Sequence, residues 1–286
     1  MTDKNKGVIY VISAAFFFSL MTLFVRLSGD LPAFEKSFFR NLVALFFAYG
    51  VLKRNHIPLS WGDNSNLKYL LGRSIAGAAG VFCNFYAIDH LVIADANMLN
   101  KLSPFFAVLF SYILIKEKVR PYQIACVTAA FIGALFILKP GGNDLNLFAA
   151  FIGLMGGLGA GLAYTNVRLA TKHGVPGPFV VFFFSMFTCI VSIPLSIPVF
   201  VMPKLWQIGF LLLAGVAATG GQFSITAAYA HAPAASISVY DYTQIIFATI
   251  LGMIFLGEMP DYLSFIGYAI ICIASVSMFL LNRKHA

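Results

Sequence analysis

Polar residues interrupt an apolar, helix-length run in the first half of the chain. Between Ala94 and Glu117, the polar or helix-breaking positions that fall on one helical face are Asn97, Asn100, Lys101, Pro104 and Ser111. Leaving a lysine in hydrocarbon near a helix centre costs about 2.5–3.5 kcal/mol on insertion scales. Lys101 is therefore expected to face a partner or a wet cavity, where its charge could bind an anionic group.

The second half of the chain carries a related stretch. A shift of 141 places Asn100 on Asp241 and Lys101 on Tyr242, and the opening helices match with a shift of 142, through Val25-Arg26-Leu27 and Val167-Arg168-Leu169. Identical residues recur under the 141-residue shift at Gly80 and Gly221, Phe82 and Phe223, Ala87 and Ala228, Ala94 and Ala235, Phe106 and Phe247, Ala107 and Ala248, Ile113 and Ile254, and Glu117 and Glu258. The chain is thus predicted to be an internal duplication.

Lys101 and Asp241 admit two interpretations. They form a direct ion pair that neutralises both groups, or they bracket a zwitterion, with Lys101 on its carboxylate and Asp241 on its ammonium or sulfonium. Under the second interpretation, neutral hydrogen bonds would come from Asn84, Asn97, Tyr242 and Gln244, and the rings of Tyr240 and Tyr242 could hold a cation.

Other polar residues in apolar segments have weaker claims to a site. Asn100 shares the stripe of Lys101, whereas Asn84 and Gln222 are either ligand contacts or interhelical glue. Arg40 is either a gate or substrate-facing residue, or an interfacial arginine that snorkels. Tyr164 and Asn166 follow the glycine ridge Gly153, Gly157 and Gly161 and are further gate candidates.

Composition places the chain in a membrane. It has 286 residues, 60% hydrophobic and 10% charged, with a mean hydropathy of +0.86, so it lacks the polar surface of a soluble globule. The predicted fold is all-α, with ten transmembrane helices at about 7–27, 34–52, 67–88, 91–115, 121–138, 147–170, 178–201, 205–230, 235–256 and 261–282.

Ten spans divide into two five-helix repeats, residues 1–140 and 145–286. Because five is odd, the second repeat enters from the opposite side, which predicts an inverted pair of the kind found in transporters. Thirteen lysines and arginines, Arg73 among them, lie on one predicted side, against five on the other, including Arg26 and Lys36. The positive-inside rule therefore predicts cytoplasmic N- and C-termini and accounts for the net charge of +8 without nucleic acid.

The sequence offers no constellation for catalysis. It contains neither a P-loop nor an H-E-x-x-H motif, and its four cysteines and five histidines are scattered. We therefore predict no enzyme activity, no cofactor, no metal site and no catalytic residue.

Two elements of the sequence resemble a known family. The first runs from Gly80-x-Phe82 through Tyr86-Ala87-Ile88 and Ala94-Asp95-Ala96 to Ser103-Pro104 and Glu117, and the second comprises Ala232-Pro233-Ala234-Ala235 and Leu256-Gly257-Glu258. Together they resemble the EamA branch of the drug/metabolite transporter superfamily. The resemblance implies a ten-helix alternating-access carrier for small organic metabolites, and the region from Tyr86 to Pro104 is most similar to the branch with S-adenosylmethionine carriers and carboxylate carriers.

The predicted function is therefore secondary transport of an amino acid or amino-acid-like zwitterion, S-adenosylmethionine included. A carrier for an organic carboxylate is the alternative, a channel comes next, and an intramembrane enzyme is least favoured. The expected partners are a small-molecule substrate and the lipid bilayer, with a monomer sufficient. The expected location is the cell (inner or plasma) membrane, as a multi-pass protein.

Overall fold

The chain folds into helices throughout the part that the computed structural model describes, namely residues 3–110, 112–113, 120–138, 144–231 and 238–284. This confirms the predicted all-α class for those residues. The helices are α1 Asp3–Leu27, α2 Ala33–Arg54, α3 Leu67–His90, α4 Ile93–Asn100, α5 Ser103–Phe110, α6 Pro121–Leu138, α7 Asp144–Lys172, α8 Gly177–Ser196, α9 Leu205–His231, α10 Thr243–Leu256 and α11 Tyr262–Lys284.

The predicted fourth span, 91–115, is not one continuous helix. Helix α4 ends at Asn100 and α5 begins at Ser103, so Lys101 lies in the break. Pro104 explains the break because it has no N–H to donate to the carbonyl of Asn100, four residues earlier. Pro104 therefore belongs to a different helix from Asn97 and Asn100, and Ser111 lies outside the described residues.

The predicted ninth span, 235–256, also begins irregularly. A 3-10 turn covers Ser238–Tyr242, and the α-helix starts only at Thr243. Asp241 lies in this turn, at the position that corresponds to Asn100 under the 141-residue shift. Two helix interruptions thus occur at corresponding places in the two halves.

Close helix packing surrounds these interruptions. Helix α3 runs along α7, α1 runs along α9, α4 and α5 pack on α7, and α10 packs on α1. The glycine ridge of α7 permits backbone contact, since a Cβ added at Gly159 would lie 2.8 Å from the Ala76 carbonyl oxygen. Helices α2 and α8 form a further pair, and so do α6 and α11.

Within the described part of the chain, five helical segments are long and apolar enough to cross a bilayer by themselves, as expected of a multi-pass membrane protein. They are Asn5–Leu27, Leu147–Thr171, Gly177–Val199, Leu205–Ile225 and Tyr262–Leu281. The apolar sequence of helix α2 is interrupted by charged residues. Glu35, Lys36 and Arg40 are nonetheless buried against neighbouring helices.

Candidate functional site

Lys101 and Asp241 meet where the two helices are interrupted. The Lys101 Nζ lies 2.5 Å from Asp241 Oδ2, and the two side chains are 12% and 26% exposed. The Tyr242 hydroxyl donates a hydrogen bond to the Lys101 carbonyl oxygen at 3.1 Å. The structure therefore brings together three residues that the sequence singled out from different halves of the chain.

Helix dipoles favour both charges in this pair. Lys101 directly follows the C-terminus of α4, and Asp241 lies two residues before the N-terminus of α10, so each faces the partial charge of opposite sign at its helix end. The second carboxylate oxygen, Asp241 Oδ1, is buried and accepts no hydrogen bond. The site thus retains an unused acceptor for a cationic group.

Asn97 and Gln244 bond to each other beside this pair. The Gln244 Nε2 donates to Asn97 Oδ1 at 2.8 Å, and the Thr22 hydroxyl donates to the same oxygen at 3.2 Å. The Ser19 hydroxyl donates to the Gln244 carbonyl at 2.9 Å. These contacts tie α1, α4 and α10 together, so the two amides position the helix ends in this structure.

Asn84 and Asn100 approach the same region across the glycine ridge. A Cβ added at Gly156 would lie 3.2 Å from the Asn84 backbone nitrogen, and one added at Gly157 would lie 3.6 Å from the Asn100 Cα. Asn84 is 9% exposed, and its Oδ1 is buried without a hydrogen-bond partner. Asn84 therefore offers a second unused acceptor.

Two other predicted contacts are placed differently. Gln222 lines an apolar pocket between α2, α8 and α9, together with Ala44, Val181 and Phe223. Tyr240 is 38% exposed, and its carbonyl accepts a hydrogen bond from the Thr243 hydroxyl at 2.7 Å.

The three gate candidates lie on α2 and α7. Arg40 is 7% exposed, so its side chain is enclosed by the neighbouring helices. Tyr164 is 54% exposed and is an electrostatic neighbour of Arg40. Asn166 donates to the Leu162 carbonyl at 2.9 Å and packs where a side chain at Gly72 would stand.

An ion-pair network joins the helices at one end of the bundle, which we call the Arg26 end. Arg26 binds Glu258 Oε1 at 2.8 Å and also donates to the carbonyls of Ile88 and Asp89. Glu258 Oε2 accepts the Ile93 N–H at 3.0 Å, and Lys36 Nζ lies 2.5 Å from Asp89 Oδ1. The network joins α1, α2, α3, α4 and the residues after α10.

Sequence reasoning missed this network. It treated Arg26 and Lys36 as topology signals at a helix border, although Glu258 already stood out as the repeat counterpart of Glu117. Recurrence of Arg26 as Arg168, together with that of the glutamate, was the available signal. The side chains of Arg168 and Glu117 lie outside the described residues.

The described residues hold no cluster of three or more histidine, cysteine, aspartate or glutamate side chains that could bind a metal ion. The side chains gathered around Lys101 and Asp241 are charges, amides and hydroxyls.

Comparison with known proteins decides the family. The model of the EamA-like transporter family matches twice, over residues 5–139 and 147–280. The chain belongs to the EamA-like transporter family. This confirms the resemblance inferred from the sequence.

Relatives of this EamA-like chain are named as transporters. It is 33% identical over 277 residues to the pseudopaline exporter CntI of Pseudomonas aeruginosa, covering 96% of each chain. It is 26% identical to the riboflavin transporter of Rhizobium johnstonii, covering 97% of this chain and 91% of the relative, and 25% identical to human solute carrier family 35 member G1, covering 94% and 77%. These names confirm a membrane transporter rather than an enzyme.

A solved crystal structure shares the fold. It superposes with a TM-score of 0.69 at 18% identity, covering 97% of this chain and 98% of the other.

Proposed function

We propose that this protein is a ten-span secondary transporter that works by alternating access between two inverted five-helix repeats. The family match falls once on each half. Replacing each helix by its counterpart in the other half reproduces the packing pairs. The pair α1 and α9 corresponds to the pair α7 and α3, and the pair α1 and α10 corresponds to α7 and the segment that contains α5. A two-fold relation between the halves produces this correspondence, and an odd number of spans in each half would make the relation inverted.

We further propose that both termini lie in the cytoplasm and that the membrane is the cell membrane. The excess of lysine and arginine in the predicted cytoplasmic loops supports this orientation. The Arg26 end of the bundle then faces the outside.

The solute that best fits the site is a small zwitterion of the amino-acid type. The observation that carries this proposal is the contact between Lys101 and Asp241 at two helix interruptions, with Asp241 Oδ1 left as an unused acceptor. A solute carboxylate would take Lys101, while its ammonium or sulfonium would take Asp241. Asn84 and Tyr242 would supply neutral hydrogen bonds.

The direct ion pair suits the step of alternating access in which the empty carrier returns to its starting conformation. Two separated charges in a medium of low dielectric constant carry a desolvation cost of several kcal/mol per ion, which mutual pairing offsets. Before a solute binds, the pair neutralises both groups so that the carrier can reorient. The solute then replaces each partner with one of its own charges, which keeps the loaded site neutral as well.

Counterflow in proteoliposomes tests this proposal. Vesicles preloaded with unlabelled solute receive labelled alanine or methionine as neutral zwitterions, S-adenosylmethionine as a zwitterion with one additional positive charge, succinate or citrate as anions, and ethanolamine as a cation. We expect saturable, trans-stimulated uptake of at least one zwitterion. Faster uptake of the dicarboxylates would favour the carboxylate alternative, and flux without saturation or trans-stimulation would identify a channel.

A second prediction concerns the ion-pair network at the Arg26 end, which we propose closes the solute pathway to the outside. Glu258→Gln keeps the shape and the acceptor for the Ile93 N–H but loses the ionic contact with Arg26. Charge-assisted hydrogen bonds exceed neutral ones by about 1–2 kcal/mol, so the open fraction should rise roughly fivefold to thirtyfold.

Thiol labelling from outside measures that opening. The reporter is Asn100→Cys in a background in which the four native cysteines are replaced by alanine. A membrane-impermeant maleimide should label the Glu258→Gln protein faster, whereas Lys204→Gln, which alters an exposed charge at the same end, should leave the rate unchanged. Equal rates for all three proteins would remove the closure role.

A further inference from the structure

Two arginines inside the helix bundle have guanidinium groups without an acidic partner among the described residues. Arg40 on α2 is 7% exposed, and its Nε and Nη1 are buried without a hydrogen-bond acceptor. Arg73 on α3 is half-buried, and its Nε is buried without an acceptor. The two groups are electrostatic neighbours, and Tyr164 on α7 neighbours both. We call Arg40 and Arg73 the arginine pair.

Two other cations inside the bundle have acidic partners. Lys36 has Asp89, and Lys101 has Asp241. The arginine pair instead places two like charges near each other, with the ring of Phe184 at 4.0 Å from the Arg73 guanidinium carbon. Charged groups within a membrane protein normally pair or line a pathway. Since the described residues supply no acidic partner for these two cations, an anion from solution best explains them.

The position of the arginine pair relates it to Lys101. On α7, Gly157 contacts the backbone of Leu99 and Asn100, next to Lys101, and Tyr164 neighbours the arginine pair. Gly157 and Tyr164 are seven residues apart, which is two turns on one face and about 10 Å along the helix. Both positions thus border the same side of α7.

We propose that the arginine pair is a second anion subsite, which binds a carboxylate of the transported solute. This inference rests on the proposed function and extends it, since the preferred solute then carries a carboxylate in addition to the zwitterionic group held by Lys101 and Asp241. Arginine suits this task because its planar guanidinium donates two parallel hydrogen bonds to one carboxylate.

A soluble carboxylate fits the site better than a lipid phosphate. Arg40 lies seven residues after the first residue of α2, and Arg73 lies six residues after the first residue of α3. Their Cα atoms therefore lie about 9–10 Å from the N-terminal ends of these helices. Lipid headgroups lie at the membrane surface, whereas Arg40 is enclosed by its neighbouring helices. Access through the solute pathway is consistent with the partial exposure of Arg73.

Thermal unfolding of the purified protein in detergent tests the subsite without requiring transport. Succinate is titrated against sodium chloride of matched ionic strength and against inorganic phosphate. We expect succinate to raise the wild-type midpoint saturably, by about 5 °C near saturation. Arg40→Gln and Arg73→Gln should each abolish this increase, and Arg40→Lys should weaken it because the bidentate geometry is lost.

The same variants separate a ligand role from a structural one. Because Arg40 carries an uncompensated charge, Arg40→Gln should unfold at the wild-type midpoint or above it when no anion is added. Lys53→Gln, which removes an exposed cation from the same helix, should change neither the midpoint nor the succinate response.

Three results would overturn the subsite. They are a wild-type midpoint that succinate does not raise beyond chloride, a succinate response that survives both glutamine substitutions, and a response to phosphate but not to succinate. A succinate response that depends on both arginines, in a protein that fails zwitterion counterflow, would retain the subsite and reject the proposed function. The reverse pattern would reject the subsite alone.

Discussion

Replacing Asp241 by asparagine is expected to reduce zwitterion counterflow about 100- to 4,000-fold while the protein remains folded. The substitution leaves Lys101 without its anion and the solute ammonium without its acceptor. Removing one partner of a buried ion pair costs about 3–5 kcal/mol, and each 1.4 kcal/mol corresponds to a factor of ten in binding. Initial rates of counterflow, normalised to reconstituted protein, measure the effect.

Lys101→Ala should give a loss of similar size for the complementary reason, because the solute carboxylate loses its cation. Asp30→Asn is a suitable control, since it removes an exposed carboxylate far from the helix interruptions in sequence. If Asp241→Asn transports normally while Lys101→Ala is inactive, the zwitterion proposal fails and an anionic solute takes its place.

Gly157→Leu is expected to abolish transport through a steric effect on the site. A Cβ at Gly157 would lie 2.6 Å from the Leu99 carbonyl oxygen, which belongs to the last turn of α4. That turn cannot yield alone, because Asn97 in it bonds to Thr22 and Gln244. The added side chain must therefore displace the chain at Lys101 or separate α4 from α7.

Gly209→Leu is the matched control for this substitution. Gly209 lies within α9, is exposed, and has no heavy atom within 4 Å of an added Cβ. We expect both variants to be purifiable, since overpacking costs typically about 1–3 kcal/mol, with counterflow lost only in Gly157→Leu. Normal counterflow by Gly157→Leu would show that α4 and α7 need no such close contact during transport.

The sequence predicted the helical class and singled out Lys101 and Asp241, with a direct ion pair as one of two interpretations, because both inferences depend on simple physical signals. Apolar periodicity identifies helices that must bury their backbone hydrogen bonds in a membrane. Lys101 and Asp241 stood out because ionised groups in such segments are costly and need a partner. The contact between them required only the internal duplication to place them together.

The break at Lys101 was not predicted, although Pro104 was visible. Proline is tolerated inside transmembrane helices when neighbours satisfy the freed carbonyl, so sequence alone does not distinguish a kink from an interruption. In this structure α4 and α5 are two separate helices, and both pack on the glycine ridge of α7.

Arg73 was misjudged for a related reason. Its position near the start of α3 made it count toward the cytoplasmic charge bias, which treats arginines as interfacial. The structure instead stacks its guanidinium on Phe184, with Nε enclosed. Side-chain direction near a helix end depends on tertiary contacts that periodicity does not encode.

The double variant Lys101→Ala/Asp241→Asn tests the central claim most directly. If the two residues serve only to neutralise each other, removing both charges should restore counterflow, because a buried ion pair can often be replaced by neutral residues without loss. If they bind the two charges of the solute, the double variant should be as inactive as each single variant while unfolding near the wild-type temperature. Zwitterion counterflow by the double variant at near wild-type rates would contradict the account.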